Sequence, residues 1–209
     1  MSTEQGIHVI GAGGHAKVVI STLRAAGHEV AAVFDDDSQK WGSYFQGSPI
    51  VGPASQLETL SSPQAVIAVG SAEARKALAQ QFRQVEWFTV VHPAAYVHPS
   101  VRLGPGTVVF AGAVIQPDAT IGAHCIINTS CSVDHDCVIE DYVQVAPGGH
   151  IGGRARLEEG VFIGIGAAVL PCVSVGGWTI VGAGGVVTRD LESGVVAVGV
   201  PARPLKKRG

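Results

Sequence analysis

The sequence predicts an α/β unit built on a short parallel sheet, followed by a long parallel β-solenoid whose structural unit is six residues. Three observations predict this. Residues 1 to about 90 alternate β-branched runs with helical patterns around a glycine-rich loop. Residues 91 to about 190 carry Val, Ile or Leu at every sixth position. Aromatic residues make up only 6% of a chain that is 46% hydrophobic, so the second half must be filled by aliphatic side chains stacked in columns.

The first strand is "IHVIGAG", the helix after it "HAKVVISTLRAAG", and the second strand "HEVAAVFDDD". This is a βαβ unit with its loop at Gly11 to Gly14. A second round follows: "AVIAVG" as a strand, "SAEARKALAQQF" as a helix, and "EWFTVV" leading into "HPAAYVHPS". Residues 1–90 are therefore expected to form a short Rossmann-like parallel sheet flanked by helices.

In the second half, steps of six from Leu103 meet Val109, Ile115, Ile121, Ile127, Val133 and Ile139, and continue unbroken to Val187. Val97 and Val91 extend the phase backwards. Four residues after each aliphatic comes a small or β-branched residue, among them Thr107, Ala113, Cys125, Cys131, Cys137 and Ala155. Such a unit resembles the hexapeptide repeat, which implies a three-sided, left-handed parallel β-helix with 18 residues per coil. On that basis residues 91–209 are the β-helix domain with its C-terminal tail. Cys125, Cys131 and Cys137 then occupy the small inward site and act as small hydrophobes.

A net charge of -3, with no basic stripe apart from "RPLKKR" at Arg203 to Arg208, excludes a nucleic-acid surface. We take that tail as a solvated end. Nothing in "MSTEQGIHVIGAGG" marks export, and no apolar run reaches the length of a spanning helix. A cytoplasmic protein without membrane insertion is expected. The four cysteines form no CxxC pair, and a reducing compartment disfavours disulfides.

A closed prism leaves chemistry to its outer surface, so polar residues that break the pattern are the candidates. In "INTSCSVDHDCVIEDYV", His135 is the third residue of its hexad and should point outward. Eighteen residues away lie Pro117 and Gly153, and a glycine beside the imidazole leaves room for a ligand. His124, His135 and His150 fall in different hexad phases, so they cannot form a metal-binding column within one chain. We expect no metal.

The combination of "VIGAGGHAKVV", "VHPSV", "VDHDCVIEDYVQVAPG" and "VVAVGVPARPLK" resembles one family along nearly the whole chain. This family is the sugar O/N-acyltransferases with hexapeptide repeats, comprising bacillosamine-type and perosamine N-acetyltransferases with sialic acid O-acetyltransferase relatives. The resemblance implies a prism that binds acetyl-CoA, an N-terminal domain that binds a nucleotide-linked amino sugar, and a homotrimer with active sites between neighbouring prisms. It implies His135 as general base, with Asp136 raising its basicity; Asp134 competes for that orienting role. Asn128 matches an asparagine near the acceptor amine. Gln144 stands where bacillosamine-type members have a second histidine, and an amide can donate to a thioester carbonyl but cannot titrate. The backbone at Ile165 and Ala183 is implied to meet the pantetheine arm, and Gly153 to line its path.

In the N-terminal loop, Gly11, Gly13 and Ala16 satisfy G-x-G-x-x-A, a weak dinucleotide signal. The domain is too short for a full two-half Rossmann sheet, which favours a sugar nucleotide. The amides of Gly13 and Gly14 would then meet the diphosphate at a helix N-terminus, with a further bond from His15. Asp35 and Asp36 would lie near the ribose or base, and Gly70 at the same sheet edge. The expected activity is acetyl-CoA-dependent N-acetylation of a nucleotide-linked amino-deoxy sugar, at the C4 amine, for surface glycan biosynthesis. O-acetylation of a sugar hydroxyl is the rival chemistry. A non-catalytic sugar-nucleotide-binding scaffold is the rival class.

Overall fold

The computed structural model describes residues 6–207, so Arg208 of the basic tail lies outside the described residues. The chain divides into two compact units that part at His92 and Pro93.

The first unit holds β1 (Ile7–Ile10), α1 (Gly14–Ala25), β2 (Val30–Phe34), β3 (Tyr44–Phe45), β4 (Ser48–Gly52), β5 (Gln64–Ile67), α2 (Ala72–Gln81) and β6 (Glu86–Trp87). The strand order is β3-β4-β2-β1-β5-β6, parallel except for the β3–β4 hairpin. Strand β1 is buried along its whole length, as a central parallel strand must be. One core, formed by Ile10, Phe34, Leu57, Ile67 and Phe82, covers one side of this sheet. Because β2 lies to one side of β1 and β5 to the other, the strand order reverses at β1. In parallel sheets the crevice at that reversal is where ligands enter.

Two features depart from the sequence reading. The hairpin β3–β4 was not expected; it turns through Gln46 and Gly47 at φ +49° and +74°. Both central residues are left-handed, the conformation of a tight hairpin turn, but glutamine hides the usual Asn-Gly signal. The run "EWFTVV" is not one strand. It breaks after Trp87, where the Phe88 amide donates to Ala65 O at 2.9 Å and pairing with β5 ends.

The second unit is a left-handed parallel β-helix of two-residue strands in three sheets. One sheet contains Val114–Ile115, Ser132–Val133, His150–Ile151 and Ala168–Val169. The next contains Thr120–Ile121, Val138–Ile139, Arg156–Leu157 and Ser174–Val175. The third contains Val108–Val109, Ile126–Ile127, Gln144–Val145, Phe162–Ile163 and Ile180–Val181, and is continued by Val195–Val198 and the antiparallel Arg203–Lys207. Every register partner is 18 residues away within the regular coils. The aliphatic positions from Val109 to Val187 are each at most 2% exposed, which makes this column the core. Each such side chain contributes about 1.5–3 kcal/mol on burial.

The thiols of the inward column are also hydrogen-bonded. Cys125 Sγ donates to Glu140 O at 3.1 Å, Cys131 Sγ to Asn128 O at 2.9 Å and Cys137 Sγ to Gly152 O at 3.2 Å. The corners follow a rule invisible in the aliphatic repeat. Every sixth residue from Gly106 to Gly184 is left-handed, with φ between +53° and +72°. Glycine adopts this freely, but Asp118, His124, Asp136, Tyr142 and Trp178 do so too, at about 1–2 kcal/mol each.

Candidate active site

His135 and Asp136 occupy one corner of the prism, directly after the Ser132–Val133 strand. The left-handed backbone of Asp136, φ +58°, turns its carboxylate back toward the preceding ring. His135 Nδ1 lies 2.7 Å from Asp136 Oδ2. A carboxylate acceptor there fixes the tautomer with its proton on Nδ1 and leaves Nε2 as the basic nitrogen. Asp134 takes a different part: its Oδ1 accepts the backbone N–H of His135 at 2.8 Å. Both His135 and Asp136 side chains are about half exposed, 52% and 55%, so the ring is reachable from outside the chain. Under the ring lies Gly153, where a built Cβ would come 2.7 Å from His135 Nε2.

The other β-helix candidates stand elsewhere on the prism. Asn128 leads into the corner that follows the Ile126–Ile127 strand, and its Oδ1 accepts from Thr129 N at 2.8 Å. Ile165 and Ala183 share that corner two and three coils on. Ile165 is 62% exposed, and its carbonyl accepts the Gly184 amide at 2.8 Å. The Ala183 amide is close to Gly164, where a Cβ would lie 2.6 Å from it. Gln144 is on the strand face leading to the same corner, paired with Ile126 and Phe162. One chain therefore brings together His135, Asp136 and Gly153, and separately clusters Asn128, Gln144, Ile165 and Ala183, with one face of the prism between the two groups.

In the first unit, helix α1 begins at the glycine loop. Its N-cap, Gly13, supplies no side-chain bond, so no capping side chain covers the helix N-terminus, the end that favours an anion. A Cβ on Gly13, Gly14 or Gly70 would meet nothing within 4 Å. By contrast Gly11, at φ +106°, packs 3.1 Å from Ala68 O at its Cβ position, an approach that needs glycine. At the C-terminal ends of β1, β2 and β5 opens a cleft of about 140 Å³, lined in part by Gly11, Phe34, Asp35, Asp36 and Val69.

The two aspartates are already engaged with the chain. Asp35 Oδ2 accepts Ala12 N at 2.7 Å, Oδ1 accepts Asp37 N at 3.0 Å, and Lys40 Nζ lies 3.0 Å from both oxygens. Partial burial would raise its pKa, but these bonds and the Lys40 charge outweigh it and hold the carboxyl below its ordinary value. Asp36 Oδ1 accepts Ala54 N at 3.0 Å. His15, behind the loop, is pushed down to about 4 by burial, with the Arg75 guanidinium adding to the effect.

Sequence reasoning passed over Lys40 and Arg75. Nothing in the local pattern marks Lys40. Arg75 did leave a signal, because it falls on the apolar i, i+3, i+7 stripe of α2 with Leu78 and Phe82. A larger groove of about 470 Å³, walled by Thr120, Val138, Glu140 and Asp141, contains none of the predicted residues. Among the described residues no cluster of His, Cys, Asp and Glu is arranged to hold a metal, and no helix is long and apolar enough to cross a membrane.

Comparison with known proteins gives this geometry its context. Residues 6–82 match the PglD N-terminal domain. Perosamine N-acetyltransferase of Caulobacter crescentus, solved as a variant with CoA and GDP-perosamine, is 41% identical with a TM-score of 0.91, covering 97% of each chain. The acetyltransferase domain of PglB from Neisseria gonorrhoeae, solved with acetyl coenzyme A, is 35% identical with a TM-score of 0.89, covering 95% of this chain and 98% of that one. Galactoside O-acetyltransferase of Lactococcus lactis is 41% identical over 54 residues, 26% of each protein. The chain spans only 18% and 25% of the length of the first two curated relatives it matches. With sequence identity and fold shared over almost the entire length of the perosamine enzyme and of the PglB acetyltransferase domain, the chain belongs to the sugar N-acetyltransferases of the hexapeptide-repeat family.

Proposed function

We propose that this protein transfers the acetyl group of acetyl-CoA to an amine, at C4, of a nucleotide-linked amino-deoxy sugar destined for surface glycans. The observation that carries the reading is the His135–Asp136 pair, 2.7 Å apart and about half exposed, in a chain 41% identical to an enzyme solved with CoA and GDP-perosamine. That likeness also favours a GDP-linked acceptor.

In this reading the uncharged amine attacks the thioester carbonyl. His135 Nε2 removes the amine proton as the C–N bond forms, and Asp136 stabilises the imidazolium. The tetrahedral intermediate collapses with cleavage of the C–S bond, and the imidazolium returns the proton to the CoA thiolate. Imidazole suits both steps because it accepts and releases a proton near neutral pH. No acyl-enzyme is required. Gln144 would donate to the thioester oxygen, Asn128 would accept from the amine, and the backbone at Ile165, Ala183 and Gly153 would flank the pantetheine arm. That these two groups of residues lie one prism face apart supports a three-chain assembly, in which each active site draws on two neighbours. In the first unit, the amides of Gly13 and Gly14, with His15, would hold the diphosphate, while Asp35, Asp36 and Gly70 border the nucleoside. Both substrates are cytoplasmic metabolites, so we place the enzyme in the cytoplasm.

The test is CoA release against GDP-, UDP- and dTDP-linked 4-amino-4,6-dideoxy sugars, with hydroxy-sugar acceptors in parallel. Turnover is expected with the GDP-linked amine. Turnover on hydroxyl acceptors alone would replace N- with O-acetylation, and nucleotide binding without any CoA release would leave a scaffold.

A further inference from the structure

Arg75 is buried to 1% exposure, the one Lys, Arg, Asp or Glu in the buried class among the described residues. An ionised group is rarely taken out of water unless its position matters, because desolvation costs several kcal/mol. From α2 its guanidinium reaches back to the end of β5, where Nη1 donates to Gly70 O at 2.7 Å and to Val69 O at 3.3 Å. That turn packs against the glycine loop: a Cβ on Gly11 would lie 3.1 Å from Ala68 O and 3.2 Å from Val69 Cγ2. Val69 and Gly11 both line the 140 Å³ cleft. The field of Arg75 also reaches His15 at the start of α1, beside the side-chain-free cap at Gly13. One side chain thus holds the turn after β5, which packs on the glycine loop, and acts electrostatically on His15 in the first turn of α1.

We propose that Arg75 is a positioning residue of the nucleotide-sugar site: it fixes the Val69–Gly70 turn against the glycine loop and sets a permanent positive charge behind the α1 N-terminus, forming a cradle for the diphosphate before it arrives. The proposal rests on the nucleotide-sugar reading. It has a second consequence. Burial holds His15 uncharged and the Arg75 charge adds to that; an arginine stays charged at all working pH values, so His15 enters the site as a hydrogen-bonding group, and diphosphate affinity does not vary as a histidine titrates.

The experiment is calorimetric titration of the full chain with GDP, together with NMR titration of the His15 ring, in wild type, Arg75→Gln and Arg75→Lys. Loss of charge-assisted bonds predicts GDP affinity about tenfold weaker in Arg75→Gln, and turnover at saturating nucleotide sugar within about twofold. The His15 ring should titrate at higher pH in that variant, and its GDP affinity should become pH-dependent between the two titration points. Arg75→Lys keeps the charge but not the planar fork, so it should recover the His15 behaviour and part of the affinity. Unchanged GDP affinity in folded Arg75→Gln, or lost turnover at unchanged affinity, would overturn the role. If Arg75→Gln does not fold, Arg75→Lys decides, and wild-type affinity there overturns it. Failure of the wild type to bind GDP, UDP or dTDP overturns the nucleotide-sugar reading itself, and with it this role.

Discussion

The imidazole of His135 lies over Gly153 so closely that a methyl group on the glycine would fall 2.7 Å from Nε2 and 2.9 Å from Cε1. Backbone pairing fixes the approach, since the Arg154 amide donates to His135 O at 2.9 Å. The ring cannot keep its place if residue 153 gains a side chain. Gly153→Ala should therefore cut kcat by about ten- to a hundredfold, the scale expected when a reacting group moves by about 1 Å. The thermal midpoint should shift little, because the His135 ring that must give way is half exposed and can swing outward. Steady-state kinetics with a melting curve checks this, and an unaltered kcat would show that the ring does not act from this position.

The aliphatic period exposed the prism core because a residue missing from one face would leave a void in a column only one side chain wide. It did not expose the left-handed corners, since Asp118, Tyr142, Arg154 and Cys172 hold that backbone as well as Gly106 does, despite the strain a side chain adds there, and no single residue type marks it. His135 was legible as an outward break in the repeat. The choice between Asp134 and Asp136 was not, because it depends on the corner dihedral at Asp136. Lys40 was invisible for a different reason: its partner Asp35 is close in sequence, but their pairing depends on how residues 38–40 turn.

The two aspartates beside His135 have separable roles. Asp136→Asn leaves an amide that no longer stabilises the imidazolium, so kcat should fall by about tenfold or more. Asp134→Asn still accepts the His135 amide and should change kcat by less than about threefold. His135→Ala should lose roughly two to four orders of magnitude. Parallel turnover numbers for the three folded variants, verified by circular dichroism, check the ranking, and equal losses at Asp134 and Asp136 would contradict it.

At another corner, Gly160 has φ +68°, and a Cβ there would be 2.5 Å from Trp178 Cε3. Gly160→Ala adds left-handed strain of about 1–2 kcal/mol to a collision with an indole that cannot rotate away cheaply. Its thermal midpoint should drop by several degrees. The matching Gly184→Ala has the same φ class but meets nothing within 4 Å, so it should show the strain alone. The difference between the two melting points isolates the contact.

Acid should destabilise the first unit in two stages. His15 is lowered from 6.5 to about 4 in the folded chain, so between those values the unfolded chain binds more protons, and stability falls as pH falls through that window. Asp35, held below its ordinary value, stabilises the fold above that value and loses this contribution as pH falls further, through its folded pKa. His15→Gln should flatten the slope of denaturation free energy between pH 6.5 and 4. Asp35→Asn should lower stability at pH 7 and lose that deficit at the acid end. Urea titrations across pH 3–7 distinguish these effects.

The thiols set the background of any CoA-release assay. Burial pushes Cys131 up to about 12 and Cys137 up to about 11, and Cys125 is fully buried with its Sγ bonded to Glu140 O. Since the thiolate is the reacting species, none of the three should react with an aromatic disulfide reagent at pH 8. Cys172 is exposed, at a left-handed corner beyond the inward column, and should react within the mixing phase. Native protein should therefore release about one equivalent of thionitrobenzoate per chain, and denatured protein about four. A Cys172→Ser variant removes the native signal without touching the core, so thiol released above baseline in that variant measures CoA alone. A second fast thiol in native Cys172→Ser would mean that the inward column opens on the assay timescale, which the burial and backbone hydrogen bonds of its three sulfurs argue against.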